Sequence, residues 1–112
     1  MSNINISLFI ECLVELSDLS NQRSVWLGEK PDQQSSLLEA AEGLFNDSGY
    51  EFVLEKEGAV FGTKIDKKLE ELAKKISNID ARIVTKEAIS GIKMEQVRYS
   101  AVEILSLLKQ RI

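Results

Sequence analysis

The stretch Ser35–Gly58, SSLLEAAEGLFNDSGYEFVLEKEG, decides what kind of fold the chain forms, because its two parts obey different periodicities. Ser36 and Glu39 stand at capping-box spacing, in which each side chain satisfies a backbone N–H that the first helical turn leaves orphaned. Leu37, Leu38, Ala41, Leu44 and Phe45 then form one helical stripe, with Glu39 and Glu42 on the opposite, wet side. Gly49 supplies the left-handed residue that closes such a helix. Beyond Gly49 the pattern is ambiguous. Tyr50, Phe52 and Leu54 alternate with Glu51 and Glu55, as a strand would in a small hairpin near residues 50–62. A short helical turn followed by a loop suits the same residues and is the favoured reading.

Outward from this stretch the chain reads as helix. Ile6, Phe9, Leu13 and Leu16 recur at helical spacing over about 5–19, although Ile4, Ile6, Leu8 and Ile10 also alternate. Ser20 is a candidate N-cap for a short element, 21–27, ended by Gly28, and Lys30-Pro31-Asp32 reads as a turn. Thr63 with Asp66 at capping-box spacing opens a helix with Ile65, Leu69, Leu72, Ala73, Ile76 and Ile79 on one stripe. On it, Glu70–Lys74 and Glu71–Lys75 are i,i+4 pairs worth about 0.2–0.5 kcal/mol each. A last long helix over about 93–110 buries Met94, Val97, Ala101, Ile104, Leu105 and Leu108, and residues 85–90 can add a helical turn before Gly91. The expected fold is mainly all-α: a compact bundle of four to five helices forming one domain over 1–112, with the hairpin as the open alternative at 50–62.

Composition narrows the function classes. The chain has 112 residues, no His, one Cys and one Pro. Without His it lacks the commonest general base and the commonest metal ligand, and one Cys cannot build a zinc site. No glycine-rich phosphate cradle is present; Gly58 and Gly62 are turn glycines. Glu39/Glu42 and Glu11/Glu15 each share a helix face, but exposed flanks do not provide the desolvated carboxyl that acid–base catalysis needs. The chain is therefore read as non-enzymatic, with no cofactor and no metal. Cys12 lies among Ile10, Leu13 and Val14, as a buried small hydrophobe would. The apolar run 4–14 lacks the basic start of a secretory leader, and no segment reaches the ~18 apolar residues of a membrane span. A cytoplasmic address and no membrane association are expected.

Charge is the most informative feature. Residues 1–57 contain 11 acidic and 3 basic side chains, a net of −8; residues 58–112 contain 7 acidic and 11 basic, a net of +4. Such a split points to a partner surface or to halves that face one another inside the fold. Direct nucleic-acid binding is not expected, since Asp66, Glu70 and Glu71 interrupt the lysines of 64–75 and the chain is acidic overall. Protein recognition remains. Trp26, after Arg23, is of the type that anchors interfaces, although packing between helices is the favoured reading. Tyr50 and Phe52 follow the acidic helix, where they could lie at a surface, although a lid over the core is the favoured reading.

Val25-Trp26-Leu27-Gly28 together with Glu39-Ala-Ala-Glu-Gly-Leu-Phe-Asn-Asp-Ser-Gly49 resembles small bacterial proteins, some of them similar to the immunity proteins of contact-dependent inhibition and other polymorphic-toxin systems. The resemblance spans roughly residues 20–62. It implies a cytoplasmic protein that binds a cognate toxin domain and blocks its active site. A toxin that attacks nucleic acid must be basic, and the acidic half suits it. The expected partner-binding residues are Trp26, Glu39, Glu42, Asp47, Tyr50, Glu51 and Glu55. The rival expectation is an assembly module that self-associates through its C-terminal helix.

Overall fold

The computed structural model describes residues 4–26, 36–79 and 89–111, and every regular element among them is helical. Helix α1 is Ile6–Ser17, begun by Asn5, whose side chain accepts from the Leu8 N–H at 3.1 Å. Its inner face carries Phe9, Cys12, Leu13 and Leu16, all buried. The next element, α2, is Leu19–Asn21 running straight into a π-helical turn, Gln22–Trp26. Its cap is Asp18, whose carboxylate accepts from the Asn21 N–H at 3.1 Å, and not Ser20. Asp18 holds the extended backbone needed to leave α1, which places Ser20 already inside the first turn. Leu27, Gly28 and the Lys30-Pro31-Asp32 turn lie outside the described residues, as do residues 80–88.

Helix α3, Leu37–Glu42, is capped by the Ser36 hydroxyl, which accepts from the Glu39 N–H at 3.1 Å. It passes into a second π-helical turn, Gly43–Asp47. Gly49 follows at φ 88°, in the left-handed region that glycine favours. Beyond it, Tyr50–Glu57 is helix α4, ended by Gly58 at φ 81°, so among the described residues no hairpin forms at 50–62. The favoured helical reading of this segment holds: Tyr50 and Val53 are buried at i,i+3 and Leu54 is half-buried beside them, while Phe52 is 65% exposed. Helix α5 is Thr63–Ser77 and helix α6 is Ile92–Arg111. The capping box expected at Thr63 is replaced. Gly62 precedes α5 without a side-chain cap, and Asp66 turns instead to the loop before it, described below.

Packing follows from these faces. Helices α1 and α6 share the most extensive interface, α5 lies against α6, and α3 with its π-helical turn closes over α1. Phe9, Leu13, Leu16, Leu44, Leu69, Leu72, Val97 and Ile104 are wholly buried at the centre. One buried polar side chain ties three elements together. The Gln22 amide donates to the Glu15 and Leu16 carbonyls at 3.0 and 2.9 Å, capping α1, while its oxygen accepts from Arg98 Nη1 on α6 at 3.0 Å. The backbone of Asn5 is held too, its N–H donating to the Ser48 carbonyl at 2.8 Å. No described helix is long and apolar enough to cross a membrane.

Gly43, at the start of the π-helical turn after α3, lies against α1: an added Cβ would stand 2.5 Å from Cys12 Sγ but 4.0 Å from Cys12 Cβ. Gly43 itself is ordinary right-handed helix, φ −61° and ψ −44°, so alanine there meets only a steric obstacle. Gly43→Ala should therefore cost about 1–3 kcal/mol in urea denaturation through overpacking. In a Cys12→Ala background the same change should become neutral or stabilise by about 0.5–1 kcal/mol, the usual helical advantage of alanine over glycine. Additive effects would show that the thiol is not the obstacle.

Candidate functional site

The acidic residues singled out in the sequence come to the surface of α3, its π-helical turn and α4. Glu39, Glu42, Asp47, Glu51 and Glu55 are all exposed. Among the described residues none of the five carboxylates makes a hydrogen bond or an ion pair. The ion pairs Lys68–Glu103 at 2.9 Å and Lys74–Glu70 at 3.3 Å lie wholly within the second half of the chain. The negative half is thus left unneutralised at these five positions.

The aromatics sort differently. Trp26 is 7% exposed, and its indole N–H donates to Glu15 Oε2 at 2.7 Å. Tyr50 is 2% exposed and stacks on Phe61 with centroids 6.0 Å apart; Phe9 sits 5.6 Å from Tyr50 and 5.1 Å from Phe61. Both residues belong to the core and present no docking surface. Phe52 was not among the expected anchors, yet on this face it is the aromatic that lies outside, flanked in the chain by Glu51 and with the Lys56 ammonium 5.9 Å from its ring centroid. Helical phase was the available signal: with Tyr50 inward, a residue two positions on is turned by about 200°.

Asp66 holds this arrangement in place. Its Oδ1 accepts from the Tyr50 hydroxyl at 2.9 Å and the Phe61 N–H at 3.2 Å, and its Oδ2 accepts from the Val60 N–H at 3.0 Å. Burial, with the Asp66 hydrogen bond second, pushes the Tyr50 phenol well above its ordinary 10.0, so it stays a neutral donor. Ser48, also buried, donates to the Leu44 carbonyl at 2.6 Å and accepts from the Tyr50 N–H at 3.2 Å, joining α3 to α4. Between α4, α5 and the π-helical turn of α3 lies an open cleft of about 610 Å³. Phe45, Leu54, Leu69 and Ala73 line it, with Glu51, Lys67 and Glu70 also at its walls.

Reactive chemistry is sparse. Cys12 is buried, and its thiol is pushed up to about 11, by burial first and then by Glu15, Glu11 and Asp47. The thiolate that a nucleophile requires is therefore suppressed near neutrality. Among the described residues no group of three or more Cys, Asp or Glu is placed to hold a metal ion. Compared with protein-family models, curated proteins and solved structures, the chain matches none.

The thiol makes a signed prediction. Because the fold favours its protonated form, the stability this preference contributes is present below pH 9.0 and is lost as pH rises through about 11. Denaturant midpoints should fall across that window in the native protein and fall less in Cys12→Ala. Equal slopes would show that Cys12 does not titrate with folding.

Proposed function

We propose that the protein is an immunity-type inhibitor, non-enzymatic and cytoplasmic, that binds a basic toxin domain through the outer face of α3 and α4. The observation that carries this reading is the set of five exposed carboxylates, Glu39, Glu42, Asp47, Glu51 and Glu55, free of partners among the described residues and accompanied by the exposed ring of Phe52. A one-sign face accelerates encounter with an oppositely charged protein, and an aromatic within it supplies a desolvated anchor. The anchor role expected of Trp26 and Tyr50 passes to Phe52. Titration with a purified toxin domain encoded beside this chain's gene tests the reading. Nanomolar or tighter binding, weakening steeply with salt, is expected; micromolar binding without salt dependence overturns it. Within such a complex, Glu39→Lys with Glu42→Lys should slow association about tenfold at low salt. Phe52→Ala should raise Kd about tenfold or more, mainly through dissociation.

One observation favours a second reading, self-association through the C-terminal helix. Ile92, Tyr99 and Val102 are 73%, 71% and 52% exposed and lie along one side of α6 at spacings of seven and three. Sedimentation at high micromolar concentration distinguishes the two: a monomer removes self-association.

A further inference from the structure

The cleft between α4 and α5 joins two features that a simple acidic face does not have, an apolar floor and a charged rim. Phe45, Leu54 and Ala73, all half-buried, form the apolar floor, with the buried Leu69 and Tyr50 behind them. About 610 Å³ falls within the roughly 300–1,000 Å³ typical of sites that enclose an organic group. The Asp66 carboxylate at the wall is already occupied by the Tyr50 hydroxyl and two backbone N–H groups. Glu51 and Glu70 remain for a visitor. Glu51 has no partner among the described residues, and Glu70 is held by Lys74 at 3.3 Å in a pair whose side chains are 68% and 73% exposed. Exposed pairs contribute about 0–1 kcal/mol and yield to a better-placed cation.

We propose that this cleft receives an arginine side chain of the protein partner, its aliphatic stem on the apolar floor and its guanidinium on Glu51 and Glu70. The inference rests on the reading of the protein as a binder of a basic partner and names one contact within it. Two carboxylates against the single Lys67 exclude an anionic occupant. A wholly apolar occupant would strip water from those carboxylates and give nothing back. Arginine is suited over lysine: its planar head is more weakly hydrated, forks onto carboxylates, and lies flat on a ring such as that of the half-buried Phe45.

The test uses the free protein and two probes of equal shape, N-acetyl-arginine methylamide and its neutral citrulline counterpart. Two-dimensional amide NMR of the isotope-labelled protein should show saturable shifts at Gly58, Ala59, Leu69 and Ala73 with the arginine probe. Citrulline should bind about tenfold more weakly, the loss expected for removing charge from the hydrogen bonds. Glu70→Gln should cost the arginine probe a similar factor, and Ala73→Met, which fills the floor, should abolish its binding. Glu11→Gln, exposed on α1 and outside the cleft, should leave it unchanged. Equal binding of both probes, shifts confined to other regions, or no shifts overturn the inference. Because no toxin enters the experiment, its failure leaves the inhibitor reading intact, and a toxin that fails to bind leaves a saturable arginine site standing.

Discussion

Three donors from outside helix α5 converge on the carboxylate of Asp66, and the orientation of α4 and its part of the acidic face depends on them. The Tyr50 hydroxyl fixes the rotation of α4, while the Val60 and Phe61 N–H groups fix the loop that returns the chain to α5. Hydrogen bonds to a charged acceptor contribute about 1.5–3 kcal/mol each when shielded, and here they also satisfy loop donors that would otherwise lose water unpaired. With Tyr50 locked inward, helical geometry leaves Glu51, Phe52 and Glu55 outward. The surface chemistry of α4 is therefore a consequence of a contact made beneath it.

A second polar point organises the other end of the molecule. Gln22 is wholly buried, and it occupies the π-helical turn that follows α2, where it reaches the carbonyls at the end of α1 and the guanidinium of Arg98. Arg98 Nη1 also donates to the Ile89 carbonyl at 2.8 Å, so one network joins the first and last helices across most of the chain. A network of this kind stabilises only while all its members are satisfied, which makes it selective for one packing of α1, α2 and α6. Both polar anchors lie close to the core aromatics, Tyr50 at one and Trp26, bonded to Glu15, near the other. Aromatic rings that carry a donor are buried where a carboxylate can receive it.

Much of the fold was legible because it depends on local periodicity. The stripes of α5 and α6, most of that of α1, the Ser36 cap and the stop at Gly49 are short-range signals readable within a turn or two of their own residues, whereas Ile6 and Leu38, read as stripe positions, are exposed and Ala40 takes the inner place on α3. The features that sequence reasoning missed depend on neighbours distant in the chain. Asp66 stands at capping-box spacing from Thr63, yet the loop and Tyr50 compete for its oxygens more effectively. The Asp18 cap is the exception, a bond spanning three residues that was missed in favour of Ser20. Trp26 and Tyr50 suit an interface by composition, but both are buried, as the favoured reading of each had it. Of the candidate site, the acidity was visible as a half-chain imbalance, whereas Phe52 and the cleft emerged only once the phase of α4 was known.

The π-helical turn at Gly43–Asp47 has a bearing on how this chain can change length. Such a turn closes its hydrogen bonds over five residues instead of four, so it accommodates one residue more than an α-turn spanning the same rise. A descendant lacking one residue there could close an ordinary turn, with the helical segments on either side still in register and Tyr50 still within reach of Asp66. The same loss inside Tyr50–Glu57 would rotate every residue after it by about 100° and carry Glu55 away from the outer face. Insertions and deletions are thus tolerable at the hinge of the acidic face and ruinous within it.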